Sequence, residues 1–347
     1  MKILVTGGAG LVGSHCAEYF ALKSKKNKVI VLDNLMRSQI FGYDKASVEF
    51  NWNYLKKYKN VERIKGDVRN DKDVAKAIGK GVDVVVHTAG QPGVPSSVRM
   101  PKEDFSINAF GTLNVLEAAR KKSKDTIAVY CSTNKVYGEN VDNIPLEEKE
   151  KRYVFKGVKG VDETMCTDLT GHTPYGVSKL VGDLYVQEYS HIYNMKTGVF
   201  RMSCTYGTRQ FGFEDQGWVA WFIIATLFNK GITIYGNGKQ VRDMLYVDDL
   251  VSAFDKFISS DLKRGLFNIG GGPDNTISLL EFLDELELLT RKKPKVKFSD
   301  WRPSDQKVYV TDTSKLEKEL GWKINTRVKD GIRKLMDWVK ENKSCFM

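Results

Sequence analysis

The chain has 347 residues, of which 41 % are hydrophobic and 28 % charged, the make-up of a globular protein long enough to bury a substantial core. Net charge is +11, but the lysines are scattered over Lys23–Lys28, Lys56–Lys59, Lys121–Lys124, Lys292–Lys297 and Lys315–Lys343 without interleaved aromatics, which argues against a nucleic-acid surface. No apolar run is long enough to span a membrane, and the five cysteines show neither metal-ligand spacing nor an even count, as expected of reduced thiols in a cytoplasmic protein.

In chain order, Ile3–Val5 is a short apolar, β-branched run and reads as a buried strand. Its place at the start of the chain leaves no room for a signal peptide. Gly7, Gly10 and Gly13 follow, and Leu11–Phe20 has helical periodicity, with Leu11, Val12, Cys16 and Phe20 able to share a face. Strand, glycine turn and helix N-terminus form a cradle for a diphosphate. Gly7 permits the tight turn, Gly10 a close approach of phosphate to backbone, and Gly13 close helix–strand packing. A second strand, Val29–Leu32, ends in Asp33, 20 residues past Gly13. A carboxylate there accepts both ribose hydroxyls of NAD and repels the 2′-phosphate of NADP. NAD is therefore the expected cofactor.

A polar, aromatic connector runs from Asn34 to about Lys59, and Val61–Lys65 is the third strand. Asp67, followed by Val68 and Arg69, either accepts from the adenine amino group or caps a helix at Asp71–Ile78. Val82–His87 is the fourth strand. Thr88, Ala89, Gly90 and Gln91 are small or polar residues past which a cofactor can lie, and Pro92–Val98 reads as a loop near the nicotinamide ribose. Phe105–Arg120 is helical, with Asn108 hydrogen-bonding backbone inside the fold. Ile127–Ser132 is the fifth strand. This alternation predicts an α/β, Rossmann-type doubly wound parallel sheet. Glu139–Gly171 is charged and reads as a long loop or lid. Thr173–Tyr193 is a helix and Gly198–Met202 the sixth strand.

The pattern then changes. Trp218–Asn229, Asp249–Ser259, Ser278–Leu289, Thr313–Leu320 and Val328–Lys340 are helical, and Ile232–Tyr235, Phe267–Ile269 and Val296–Phe298 are short strands. Ser314–Trp322 and Gly331–Trp338 form a terminal cap. We therefore expect an NAD-binding domain over residues 1–202, completed by part of 232–260. A smaller, discontinuous α/β substrate domain is expected over 203–347.

Tyr175 and Lys179 stand one helical turn apart on one face. A tyrosine ionises near 10, and a nearby ammonium together with a nicotinamide cation favours the phenolate, which makes Tyr175 a candidate base. Lys179 is also placed to hold the nicotinamide ribose. Thr133, at the end of the fifth strand, carries a hydroxyl able to share a hydrogen bond with the reacting substrate oxygen. His87, His172 and the other histidines show no ligand spacing, so no metal is expected. His172, just before Tyr175, reads as a loop histidine within reach of the sugar.

The glycine loop, Asp33, Asp67-Val68-Arg69, the Tyr175/Lys179 pair, Arg242-Asp243 and Val247-Asp248-Asp249 resemble the extended short-chain dehydrogenase/reductases that act on nucleotide sugars. These form the NAD-dependent epimerase/dehydratase family, and the likeness covers roughly residues 2–340. The resemblance implies a cofactor set of Gly7, Gly10, Leu11, Val12, Asp33, Asn34, Asp67, Val68, Ala89, Gln91, Asn108, Tyr175 and Lys179. It implies catalysis by Thr133, Tyr175 and Lys179. It also implies a nucleotide-sugar site with Arg242, Arg302 and Arg209 as diphosphate ligands, joined by Gln216, Gly217, Trp218 and Asp305. Trp218, Val219 and Phe222 read equally as helix core.

Departures narrow the reading. Members that dehydrate the sugar carry an Asp-Glu pair after the hydroxyl residue; here the positions hold Asn134 and Lys135, which cannot do that acid–base work. Members that epimerise C4 commonly hold the diphosphate with an Asn after strand six; here the position is Cys204. The stretches 132–138, 209–222 and 236–243 resemble the branch that inverts C2 of a CDP-dideoxyhexose. That branch reading implies a CDP-sugar substrate and an isomerase with tightly bound NAD. A UDP-hexose 4-epimerase is the alternative, and a net reductase or a non-catalytic NAD sensor are further ones. The resemblance also implies a homo-oligomer, dimer or tetramer, built on helices Phe105–Arg120 and Thr173–Tyr193, with no nucleic-acid or membrane partner.

Overall fold

In a computed structural model of the protein, residues 1–41, 46–302 and 304–346 are described. Residues 42–45 of the expected connector, Pro303 beside Arg302, and Met347 of the expected second domain lie outside them. The chain divides into two units: Met1–Val136, Thr173–Arg201 and Val251–Phe267 form the first, and Tyr137–His172, Met202–Leu250 and Asn268–Met347 the second. Residues 137–172 thus group with the second unit, and of the stretch 232–260 it is the part from Val251 that joins the first.

The first unit is built on a seven-stranded sheet. Its strands are β1 (Lys2–Thr6), β2 (Lys28–Asp33), β3 (Val61–Lys65), β4 (Val84–His87), β5 (Ile127–Thr133), Thr197–Met202 and Arg264–Ile269. The spatial order is 264–269, 197–202, β5, β4, β1, β2, β3, with β1 pairing in parallel to both β2 and β4. The order reverses at β1, so the ends of β1 and β4 splay there, the place where open α/β sheets bind ligands. Ile3, Leu4 and Val5 have no exposed surface, which explains a strand apolar on both faces. Val74, Ala77 and Ile78 of helix Asp71–Ile78, Val115, Leu116 and Ala119 of helix Gly111–Lys122, and Val186 and Tyr189 pack with Leu4, Ile30, Leu32, Val85 and Tyr130 into one core.

Local expectations for this unit are refined or corrected. The connector before Lys59 holds helices Arg37–Phe41 and Ala46–Tyr54 and a tight turn Leu55–Lys57. Its aromatics serve an ordered purpose, since the Tyr54 hydroxyl donates to Glu18 at 2.6 Å and the Tyr58 hydroxyl donates to the same carboxylate. Pro92–Val98 is not a loop, because Val94–Arg99 is a helix with proline in its first turn, where the ring's fixed φ suits helix entry. Finally, helix Asp71–Ile78 is capped by Asn70, whose side chain accepts from the N–H groups of Lys72 and Asp73, and not by Asp67. The expected helix Phe105–Arg120 begins at Pro101. It runs as Pro101–Phe105, a wide π turn over Ser106–Phe110, and Gly111–Lys122.

In the second unit, Val241–Tyr246 pairs with Thr276–Ser278, Val308–Tyr309 and Cys204–Tyr206, and Gly231–Tyr235 pairs with Lys295–Ser299. Apart from the last pair, these strands are too short or too irregular to leave a period-two signal. Glu139–Gly171 is not a structureless lid. It contains the hairpin Leu146–Glu148 with Tyr153–Phe155, whose Tyr153 is buried against Val241, Val308 and Val310. Trp322 is buried, its indole donating to the Asp249 carbonyl at 2.9 Å. Helix Val328–Glu341 buries Ile332, Leu335, Met336 and Val339 along one side.

Candidate active site

Helix α1 (Leu11–Lys23) starts at Gly10 with no side-chain cap and no acidic residue in its first turn. The amide groups of Leu11 and Val12 there are suited to an anion. The turn is built around Gly7, at φ +67°, where a Cβ would lie 2.6 Å from the backbone of Ala89. A Cβ on Gly13 would sit 2.7 Å from the Thr88 hydroxyl. Side chains at either position would fill the cradle, so the residues present fit a dinucleotide. Asp33 closes the end of β2; its carboxylate accepts from the N–H groups of Ala9 at 2.9 Å and Leu35 at 2.8 Å. Burial raises its pKa despite those two bonds. Two carboxylate oxygens offer about four acceptor directions, which leaves capacity for ribose hydroxyls.

Asn34 donates to Asp67 at 2.8 Å. Burial pushes the Asp67 carboxyl up, but Arg69, donating at 2.7 and 3.0 Å, outweighs it and holds the pKa at about 2. Asp67 is thus an ion-paired carboxylate that organises its turn. Val68 is buried, and its carbonyl accepts from Asn114. Gln91 and Asn108 are also buried and bond to each other: Asn108 accepts from the Gln91 N–H at 2.8 Å and donates to its carbonyl at 3.1 Å. Their side chains shape the cradle from behind. A directed chain of hydrogen bonds runs beneath it. The Ala89 N–H donates to Thr6, Thr6 donates to His87 Nδ1 at 2.6 Å, His87 Nε2 donates to Thr112 at 3.0 Å, and Thr112 donates to the Asn108 carbonyl. The carbonyl can only accept, which assigns His87 the Nε2–H tautomer. Burial depresses its pKa to about 3, with Lys179 adding to the effect.

The three residues expected to do the chemistry converge. Thr133 ends β5, and Tyr175 and Lys179 lie on the first turns of helix Pro174–Tyr193, which is capped by the Thr173 hydroxyl accepting from Gly176. Thr133 Oγ1 donates to Asn134 Oδ1 and accepts from the Lys135 N–H, both at 3.3 Å. The Lys179 ammonium sits 4.2 Å from the Tyr130 ring centroid. Burial pushes the Tyr175 phenol up to about 12, and the Thr133 hydroxyl offsets only part of this. Burial also pushes Lys179 down to about 8, against the pull of Cys131, Asp183 and Asp104. Desolvation dominates in the chain by itself, so the phenolate depends on the pairing of ammonium and nicotinamide cation that the sequence reading invokes. Sequence reading missed Ser178, which donates to Asp104 and to the Tyr175 carbonyl, and Asp104 itself. The only signal was their spacing, Ser178 inside the Tyr–Lys turn and Asp104 four residues before Asn108.

In the second unit, Arg242 pairs with Asp305 at 2.8 Å and Arg302 with Asp215 at 3.2 Å. The Arg302 guanidinium lies 3.7 Å from the Tyr235 ring centroid. Each guanidinium has five N–H donors, so edges remain for phosphate. Gly217, at φ +77°, starts helix Trp218–Leu227, and the Gln216 carbonyl and N–H both bond Phe213. Arg209 is buried in a left-handed conformation, φ +62°. Trp218 packs on Phe222 and Phe282, and burial raises the Cys204 thiol to about 12. Trp218 therefore serves at least as helix core. His172 donates from Nε2 to the Thr167 carbonyl at 2.8 Å, and its Nδ1 is buried without a hydrogen-bond partner among the described residues. Among the described residues, no helix is long and apolar enough to cross a membrane, and no cluster of three His, Cys, Asp or Glu is placed to hold a metal ion.

The sequence matches the family model described as NAD dependent epimerase/dehydratase family over residues 3–270. It is similar to the CDP-paratose 2-epimerase of Salmonella typhi, 40% identical across 97% of this chain and 99% of that one. A putative UDP-glucose 4-epimerase of Methanocaldococcus jannaschii is 33% identical across 98% of this chain and 99% of that one. Among solved structures, the UDP-glucuronic acid 4-epimerase of Bacillus cereus, in complex with UDP-glucuronic acid and NAD, superposes with a TM-score of 0.81 at 27% identity, covering 99% of this chain and 100% of that one. A parallel sheet that reverses order at β1, an uncapped helix behind a glycine turn, and a Thr–Tyr–Lys cluster at the end of β5 agree with that match over most of the sequence. The chain belongs to the NAD-dependent epimerase/dehydratase family.

Proposed function

We propose that the chain is an NAD-dependent nucleotide-sugar epimerase acting in the cytoplasm, which inverts C2 of a CDP-dideoxyhexose and so converts CDP-paratose to CDP-tyvelose. The observation that carries this reading is Tyr175 and Lys179 one turn apart at the start of helix Pro174–Tyr193, with Thr133 at the end of β5 acting on the phenol, in a chain whose dehydratase positions hold Asn134 and Lys135. The 40% identity to a CDP-paratose 2-epimerase supports the sugar and the carbon.

NAD, when bound, supplies a hydride acceptor that gives the hydride back, so no net oxidation occurs. Gly7, Gly10, Leu11 and Val12 would hold its diphosphate and Asp33 its adenosine ribose. Tyr175 takes the proton of the sugar hydroxyl as the carbon is oxidised and returns it as the carbon is reduced on its other face. Thr133 shares the hydrogen bond to that oxygen and keeps the phenol aimed. Lys179, charged at neutral pH, favours the phenolate and donates to the nicotinamide ribose. In the second unit, Arg242, Arg302 and Arg209 neutralise the sugar nucleotide's diphosphate, while Gln216, Gly217, Trp218 and Asp305 surround the nucleotide. Val177, Leu184 and Tyr185 on helix Pro174–Tyr193, with Phe105 and Phe110, leave an exposed apolar face suited to a second copy of the chain.

A UDP-hexose 4-epimerase is the second reading, favoured by the similarity to a putative UDP-glucose 4-epimerase. The two separate when the purified protein is incubated with each sugar nucleotide and the products resolved by chromatography. Formation of CDP-tyvelose from CDP-paratose, with no dehydrated sugar, is the expected result. Turnover of UDP-glucose or UDP-galactose in its place would discard the C2 assignment.

A further inference from the structure

Asp104 lies on the short helix Pro101–Phe105 and has no exposed surface. One carboxylate oxygen accepts from Asn108 Nδ2 at 3.1 Å and Gln91 Nε2 at 3.2 Å, and the other from the Ser178 hydroxyl at 2.5 Å. All three donors are uncharged. A buried carboxylate held only by neutral donors still lacks a counter-charge, and burying an unpaired charge is costly. Asp183, equally buried, shows the usual solution: Arg201 grips it at 2.9 and 3.2 Å, and Ser132 donates to it at 2.7 Å. Among the described residues, the cation acting on Asp104 is Lys179.

Asp104 reaches the Lys179 turn through Ser178, the residue before the lysine, and through Asn108. A Cβ built on Gly90 would lie 3.9 Å from Lys179 Nζ and 3.0 Å from Asn108 Oδ1, so the ammonium and the amide that binds Asp104 flank the same glycine. The other titratable groups around Lys179 carry no free negative charge at neutral pH. On β5, the Tyr130 phenol is held well above its usual range by burial and the Cys131 thiol is raised to about 12. On β4, His87 is neutral. On the same helix, Tyr175 is a phenol and the charge of Asp183 is met by Arg201.

We infer that Asp104 is a positioning residue for Lys179, supplying the buried negative charge that keeps the lysine an ammonium while Ser178 and Asn108 hold that carboxylate against the Tyr175 turn. The inference deepens the epimerase reading and rests on it only where turnover is measured. Burial drives Lys179 towards the neutral amine, and Asp104 is one of the groups that oppose this. A neutral amine neither favours the phenolate nor offers a charged donor to ribose. Asp104, together with Asp183, therefore raises the upper end of the working pH range without touching substrate.

The test is Asp104→Asn, which keeps the shape and removes the charge. The alkaline limb of the pH–rate profile should move down by about one unit, so that the ratio of turnover at high to neutral pH falls about tenfold. Ser178→Ala breaks the hydrogen bond but keeps the charge; it should lower turnover and leave the limb in place. A uniform loss at all pH values in Asp104→Asn, or an equal movement of the limb in Ser178→Ala, overturns the proposal. Titration of 13Cε-labelled lysines in the NAD-loaded protein without sugar, with Lys179 assigned through Lys179→Arg, reads the same shift. That measurement is independent of turnover: a lowered Lys179 pKa in Asp104→Asn, in a protein that epimerises no sugar tested, would sink the epimerase reading and leave this one standing. Should Asp104→Asn fail to fold, neutron diffraction on the wild-type protein decides. Three deuterons on Lys179 Nζ and none on Asp104 support the proposal, and a deuterated Asp104 carboxyl refutes it.

Discussion

The Lys179 ammonium rests over the Tyr130 ring, 4.2 Å from its centroid, while the Tyr130 hydroxyl donates to the Lys179 carbonyl at 3.3 Å. One aromatic side chain thus supports both the charge and the backbone of the residue. A desolvated cation over a ring face contributes up to about 2 kcal/mol. Gly182 makes the arrangement possible, since a methyl group at that position would overlap the Tyr130 hydroxyl. Gly182→Ala should therefore cost about 1–3 kcal/mol in urea denaturation, and adding Tyr130→Phe should recover part of it. No loss in the single variant would show that the ring is free to move.

Tyr175→Phe should lower turnover by about 10²–10⁴-fold, the usual contribution of a positioned acid–base group. The NAD content of the purified protein, measured after denaturation, should stay near one per chain, because the glycine turn and Asp33 do not depend on the phenol. Loss of cofactor along with activity would mean that the tyrosine has a binding role instead.

His87 makes stability fall in acid. Its imidazole is neutral in the fold, with a pKa of about 3, against roughly 6.5 in an unfolded chain. Between these values the unfolded state holds more protons, so its contribution is complete above 6.5 and is lost as pH drops towards 3. At pH 5 this one group should already have removed about 2 kcal/mol. His87→Gln should flatten the dependence of unfolding free energy on pH over that window, while lowering stability at pH 7.5 through the broken Thr6–Thr112 relay. An unchanged slope would place the acid sensitivity elsewhere.

Arg201 and Asp183 form an ion pair with 5% and 0% of their side chains exposed. Arg201→Met should cost about 3–5 kcal/mol by leaving the carboxylate buried and unmatched. The double variant Arg201→Met with Asp183→Leu should be less damaged than the single one, because the charge itself is gone. If the double variant is worse, packing rather than charge governs the pair.

Much of the first unit was legible because parallel buried strands leave dense apolar runs and glycine turns have fixed offsets; Ile3–Val5, Gly7 and Asp33 are cases of each. Tyr175 and Lys179 were legible because helical spacing puts them on one face. Asp104 was not, since a carboxylate in a charged stretch, Lys102-Glu103-Asp104, looks like solvated surface until the tertiary fold buries it. Helix Val94–Arg99 was hidden by Pro95 and the preceding Pro92, since proline breaks helices inside but favours them at entry. The burial of Tyr175, which pushes its phenol up, was not legible, because spacing reveals neighbours and not desolvation. Strands such as Cys204–Tyr206 are held by their partner Val241–Tyr246, a long-range pairing that three residues cannot announce.

The π turn at Ser106–Phe110 fits one residue more into its circuit than an α-helix would. Rewinding these five residues as regular α-helix, with none deleted, would swing Pro101–Phe105 by roughly 100° about the axis. Asp104 would then turn away from Ser178, and Phe105 would turn towards the interior. The wide turn therefore sets the phase of the segment before it: a substitution that winds Ser106–Phe110 into α-helix should abolish function more thoroughly than most others there, whereas deleting one residue within it should keep Asp104 in place.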